Sequence, residues 1–298
     1  MKIEWDNIDK TVFLNGRPDI AYRDPCGHYY DGIFRVWHTQ IHGKAGGEWV
    51  AGTGVVESSD LITWSEPRLI TPLEKRFNYS SPGNVIRFDN RWVMCLQTYP
   101  TPNGGFFGDE SSRVFTMRSD DLLEWDEPEL IKVKGPDVAQ SDMGRMIDPY
   151  LVEDKDKPGK WWCFFKQNGA SMSWSTDLET WTYFGHIEAG ENVCLFIEGN
   201  NYVLFHSPKN GIGIKQSVDL QNWTDHGLLT LGQSAWPWAQ GRLTAGHVLD
   251  LRGEPTIGKL LMFFHGSSPE GCALQETHGH SSLGFAWGQD MVSWEWGK

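Results

Sequence analysis

Three acids and one histidine stand at comparable places far apart in this chain: Asp24 in Tyr22-Arg23-Asp24-Pro25, Asp148 in Met146-Ile147-Asp148-Pro149, Glu191 in Gly190-Glu191-Asn192 and His247 in Ala245-Gly246-His247. Taken singly, an Asp before a Pro is ordinary turn chemistry, because its side chain bonds the turn backbone. Taken together, three carboxyls converging on one site would repel one another, and at least one pKa would rise. Carboxyls whose surroundings drive their pKa values apart divide into a proton donor and a proton acceptor. Cleavage of a glycosidic bond needs that division: one carboxyl protonates the leaving oxygen and a second acts as base or nucleophile. A third can orient the sugar and tune the acid.

The acids can meet only if the chain is built from a repeat, and one is present. The pattern Ser/Gly-x-Asp-Leu/Met-x-x-Trp occurs five times, ending at Trp64, Trp125, Trp181, Trp223 and Trp294. Its Asp residues (Asp60, Asp121, Asp177, Asp219, Asp290) are spaced by 61, 56, 42 and 71 positions, periods that indicate solenoids or propellers. Runs rich in β-branched, aromatic and Gly residues precede each copy, at 49–56, 113–117, 170–174, 211–215 and 283–287. Two further β-like runs precede each of these, for example 84–88 and 91–96 around the turn residues Asp89-Asn90. No helical period of useful length appears. The expected fold is all-β, a five-bladed β-propeller of four-stranded antiparallel blades around a central channel, with 1–298 as a single domain. The repeated motif reads as the turn between the third and fourth strands of a blade, its Ser and Asp bonding the turn and its Leu and Trp packing on the neighbouring blade. In a propeller the innermost strands line the axis, so Asp24, Asp148, Glu191 and His247 are expected at equivalent entries at one end of it.

The entries Arg23-Asp24-Pro25, Ile147-Asp148-Pro149 and Gly190-Glu191, in that blade order, resemble the catalytic signatures of glycoside hydrolase family 43 and its five-bladed relatives (families 62, 32, 68 and 117). The resemblance covers all the blades. It implies that Asp24 is the general base, Asp148 the pKa modulator and orienter, and Glu191 the general acid; Glu198 reads instead as a hairpin-turn residue and Glu188 lies before the entry. It also implies that His247 sits on the axis and helps hold a hydrated metal ion, calcium or sodium, with no cofactor required for the chemistry. Two positions depart from the family pattern: Arg23 stands where Ala is common, and Asn192-Val193 where Gly/Ala-Pro is common. Arg-Asp-Pro in the first blade rather than the third argues against a retaining fructosidase.

Further residues expected near substrate are Tyr22, Ser81, Lys166, Gln167, Trp236, Trp238, Arg242 and His247. The two Trp flank Pro237 and suit a stacking platform or packing between blades, and Arg242 is a donor to hydroxyls or a carboxylate. The 16 Trp and 15 Phe divide between inter-blade wedges and sugar platforms. A net charge of -13 repels nucleic acid, and no apolar run is long enough to span a membrane. The opening MKIEWDNIDK has no apolar h-region, and the five cysteines form no C-x-x-C, so a cytoplasmic protein with reduced thiols is expected. The expected activity is that of an inverting, exo-acting glycoside hydrolase on short oligosaccharides with arabinofuranoside, xyloside or galactofuranoside linkages. Inversion calls for a base and an acid roughly 6.5–9.5 Å apart. The alternatives are a sugar-binding propeller without catalysis, or a propeller glycoside phosphorylase, which would need a basic cluster at the channel mouth.

Overall fold

The computed structural model describes residues 2–43, 47–102, 104–229, 231–274 and 279–297. Five antiparallel sheets follow one another around an axis. Blade 1 comprises Ile20–Tyr30, Ile33–Gly43, Trp49–Ser58 and Arg68–Leu69; blade 2 comprises Val85–Phe88, Arg91–Gln97, Val114–Ser119 and Glu129–Leu130. Blade 3 comprises Ile147–Glu153, Trp161–Lys166, Ala170–Ser175 and Thr182–Ile187, and blade 4 comprises Glu191–Glu198, Asn201–Ser207, Gly213–Ser217 and Thr224–Leu228. Blade 5 contributes Arg242–Leu251, Lys259–Ser267 and Ser282–Gly288. This is the expected five-bladed propeller.

Ring closure is a feature the repeat does not announce. The third strand of blade 5 pairs on its outer side with Val12–Leu14, from the start of the chain, and also with Trp294–Glu295. Phe13 then stacks on Trp64 of blade 1 with ring centroids 4.3 Å apart. A strand from one end of the chain thus completes a blade made from the other end, joining first and last blades by backbone pairing.

The repeated motif is the outer turn, as expected. In blade 3, Ser175 Oγ accepts from the N–H groups of Asp177 and Leu178, and Asp177 Oδ1 accepts from Glu179 and Thr180. The same bonds recur at Ser58/Asp60, Ser119/Asp121 and Ser217/Asp219. These donors stabilise the carboxylate form, so the motif Asp pKa values are lowered, Asp177 to about 2. The motif Leu residues turn back with positive φ and are buried. Trp181 of blade 3 packs with Val93 and Cys95 of blade 2, and Trp125 of blade 2 meets Trp37 of blade 1 edge-on at 5.8 Å. Each motif therefore wedges its blade against the one before it. The cysteines are all free, and Cys26, Cys95, Cys163 and Cys194 are buried as small hydrophobes.

Candidate active site

Four of the five inner strands carry the same local distortion near their start. Pairing with the second strand is interrupted between Arg23 and Cys26, between Ile147 and Tyr150, between Glu191 and Cys194, and between Thr244 and His247. At each bulge one residue has positive φ: Asp24, Asp148, Asn192 and Ala245, with Ser81 in the corresponding place in blade 2. A bulged residue stands outside the ladder, which is why Pro25, Pro82 and Pro149, lacking an N–H, are tolerated there.

The bulges correct the expected equivalences. Asp24 and Asp148 are indeed equivalent, but their counterpart in blade 4 is Asn192; Glu191 sits one residue earlier, on the last regular pair before the bulge, opposite Ser207. His247 lies two residues beyond its bulge, level with Cys26, Gly83, Tyr150 and Cys194. Those residues plug the channel beneath the acids. Blades press so closely there that a Cβ on Gly83 would lie 1.6 Å from the Pro149 carbonyl oxygen.

The N–H freed by each bulge needs a partner. Around the ring it comes from the second strand of the preceding blade. Ser81 N donates to Thr39 Oγ1 (2.8 Å), Asp148 N to Gln97 Oε1 (2.6 Å), Ala245 N to Ser207 Oγ (2.8 Å) and Asp24 N to His265 Nδ1 (3.1 Å). The fifth place in this series is Lys166, opposite Ile147. An ammonium has no lone pair to offer, and Asn192 N instead donates to the Asp148 carboxylate, at 3.3 Å from Oδ2. The one break in the series therefore lies between the blades that carry Asp148 and Glu191.

Asp24, Asp148 and Glu191 all line one cavity of about 440 Å3 at this end of the axis. Asp24 is held from three sides: Oδ2 accepts from Thr39 Oγ1 (3.0 Å) and Ser81 Oγ (3.1 Å), and Oδ1 from Asn192 Nδ2 (3.3 Å). These donors fix the orientation of its carboxyl group. Asp148 is buried, and burial first, then the charges of Glu191 and Asp24, push its pKa up to about 7. One carboxyl of the three is thus prepared to hold a proton near neutral pH.

The cavity wall also includes Arg23, Trp49, Gln97, Tyr99, Phe107, Arg145 and Arg242. Ser81 and Arg242 are therefore where the sequence placed them. The other expected substrate contacts are not. Tyr22 is buried in the core between blades 1 and 5 while Arg23, the next residue, lines the cavity, because adjacent residues of a strand face opposite ways. Gln167 lies behind the wall, its Nε2 donating to the carbonyls of Met143 (2.9 Å) and Arg145 (3.0 Å). Lys166 does not line the cavity and holds the exceptional place in the series just described. Trp236 and Trp238 stack on each other (5.9 Å) and on Phe264, forming packing rather than a platform.

His247 does not line that cavity either. It is buried beside a separate axial space of about 20 Å3, and burial drives its pKa down to about 4. That space holds about one water, and among the described residues no three His, Cys, Asp or Glu side chains converge as metal ligands. A space of that size leaves no room beside His247 for an ion together with a full water shell. Thr39, Gln97, Asn192 and His265 were not singled out as site residues. Thr39, Gln97 and His265 sit at register positions fixed by pairing, and Asn192 stands in the blade 4 bulge.

No protein-family model matches the sequence, nor does any curated protein. Solved structures do resemble the fold: a GH43_1 enzyme from Xanthomonas citri (12% identity over 93% of this chain and 90% of that one, TM-score 0.64), and an exo-1,5-alpha-L-arabinanase from a bovine ruminal metagenomic library (15%, 94% and 95%, TM-score 0.62). A family 117 glycoside hydrolase from Zobellia galactanivorans is similar too (15% identity over 96% and 88%, TM-score 0.65). The fold is that of the five-bladed propellers found among family 43 and family 117 enzymes. Among the described residues no helix is long and apolar enough to cross a membrane.

Proposed function

We propose that this protein is a glycoside hydrolase that removes a terminal pentose or furanose unit (arabinofuranosyl, xylosyl or galactofuranosyl) from short oligosaccharides, with inversion at the anomeric carbon. The observation that carries this reading is the convergence of Asp24, Asp148 and Glu191 on one 440 Å3 cavity, with Asp148 prepared to hold a proton. The names of structural neighbours, an arabinanase and a complex with xylose among them, agree with it.

In this reading Asp24 is the base. Its bonds from Thr39, Ser81 and Asn192 keep it aimed, and it takes a proton from the attacking water. Glu191 gives a proton to the leaving oxygen. Burial and the neighbouring carboxyls raise the Asp148 pKa to about 7, so Asp148 keeps a proton within reach of Glu191 near neutral pH. The aromatic faces of Trp49 and Tyr99 offer apolar surface to a sugar ring, and a small cavity suits an end unit.

The test is a screen of 4-nitrophenyl pentosides and hexosides, with the product anomer followed by NMR. Release of a pentose with inverted configuration, lost in Glu191→Gln while sugar binding persists, is the expected result. Sugar binding with no hydrolysis across the panel would replace this reading with that of a binding propeller.

A further inference from the structure

The cavity contains more positive charge than a neutral sugar requires. Arg23, Arg145 and Arg242 line it together with the three carboxyls. Three guanidinium groups thus gather in one cavity of a protein whose net charge is -13.

Arg242 and Arg145 are not neutralised in place. Burial, then the nearby charge of Arg23, lowers the Arg242 pKa, against the opposing pull of Asp24 and Glu191. Its Nε is buried with no hydrogen-bond partner, and among the described residues its guanidinium forms no ion pair. The Arg145 backbone N–H donates to Glu110 Oε2 (3.1 Å), but its guanidinium, on the wall between blades 2 and 3, is held by neutral groups: Nε donates to the Gly108 carbonyl (3.0 Å), Nη2 to Tyr99 Oη (3.3 Å), and it lies over the Tyr99 ring. Among the described residues no carboxylate pairs with it. Keeping a guanidinium partly desolvated without an anion is costly, whereas a planar oxyanion satisfies it bidentately.

From this we infer that the oligosaccharide bound in the cavity is acidic: the neighbour of the cleaved unit carries a carboxylate, as in a uronic acid. Arg242 and Arg145 are its recognition residues. The inference rests on the glycosidase reading for its substrate but not for its anion site.

The experiment compares matched substrates at low ionic strength. One pair consists of arabinosyl disaccharides ending in galacturonic acid or galactose; the other of xylosyl disaccharides ending in the same two sugars. The acidic member of at least one pair should have a kcat/KM about 10–100-fold higher, the range expected of hydrogen bonds to charged groups. In Arg242→Gln and Arg145→Gln, each checked by thermal melting, that preference should shrink mainly through KM. Acidic and neutral members within twofold of each other in both pairs would overturn the inference while leaving the hydrolase intact. If nothing is hydrolysed, the hydrolase reading fails and calorimetry decides: galacturonate bound more tightly than galactose, with the difference lost in Arg242→Gln, upholds the anion site, and equal binding removes it. Cleavage that requires inorganic phosphate and yields a sugar 1-phosphate would assign the arginines to phosphate and overturn the acidic-sugar assignment.

Discussion

The outer turn and the inner bulge are both repeated around the ring, and they are repeated differently. At the outer turn the residues recur along with the backbone: Ser, Asp, Leu and Trp make the same bonds in blade after blade. At the inner bulge only the backbone recurs. The positive-φ position is Asp, Ser, Asp, Asn and Ala in turn, and its N–H finds Thr, Gln, a carboxylate, Ser or His. Side chains that repeat with the backbone serve the blade. Where the backbone alone repeats, the side chains are free to differ, and there the carboxyls gather. If that contrast is right, inner substitutions should cost activity and outer ones stability.

The largest expected effect is at Glu191. Glu191→Gln should lower kcat by about 10²–10⁴-fold, the usual contribution of general acid catalysis, with an unchanged melting temperature. Loss of fold instead would erase the contrast.

Asp148→Asn comes next and should move activity and stability in opposite directions. A carboxyl whose folded pKa is raised to about 7 contributes stability below its unfolded pKa of 3.8, and that contribution is lost as pH rises through about 7. Wild-type stability should therefore fall between pH 4 and pH 8. Asp148→Asn, which has no proton to lose, should flatten that fall and melt higher than wild type at pH 8, with activity reduced at least about tenfold. A parallel fall in the variant would assign the pH dependence to another group.

Lys166→Gln sharpens the inner half of the comparison. It supplies an acceptor at the one place in the series that lacks one, drawing the Asn192 N–H away from Asp148. The carboxylate of Asp148 loses a stabilising bond, so the alkaline limb of the pH–activity profile should move up by about one unit or less. A downward shift would contradict the arrangement.

Asp177→Ala is expected to change activity least. Without the bonds to Glu179 and Thr180, blade 3 should lose roughly 1 kcal/mol, read by urea denaturation, with kcat/KM within about twofold. Because the folded pKa of Asp177 is depressed to about 2, its contribution is present above the unfolded value of 3.8 and disappears as pH falls towards 2. The difference between variant and wild type should vanish over that interval.

Much of the fold was legible because its signal is local and repeated. Five copies of one turn, each preceded by β-like runs, give blade number and order without any distant contact. Ring closure was not legible: Val12–Leu14 is a three-residue strand with no motif, recruited by the edge of Ser282–Gly288 at the far end of the chain. The acids were legible as unusual residues at blade entries. Their relative positions were off by one or two residues, because a bulge inserts backbone that spacing does not reveal; hence Glu191 is level with Ile147 rather than Asp148, and His247 lies below the acids. Tyr22 and Arg23 show the same limit, since one step along a strand exchanges core for cavity.

The sequence by itself determined the number of blades, the turns that join their outer strands and the presence of Asp24, Asp148 and Glu191 near one end of the axis, because each depends on residues within a few positions of one another. Only the tertiary structure decided which side chains share the cavity, that Asp148 holds a proton near neutral pH, and that Arg23, Arg145 and Arg242 face the same space. Those outcomes depend on burial and on charges brought together from separate blades, and desolvation and Coulomb interactions act through space rather than along the chain.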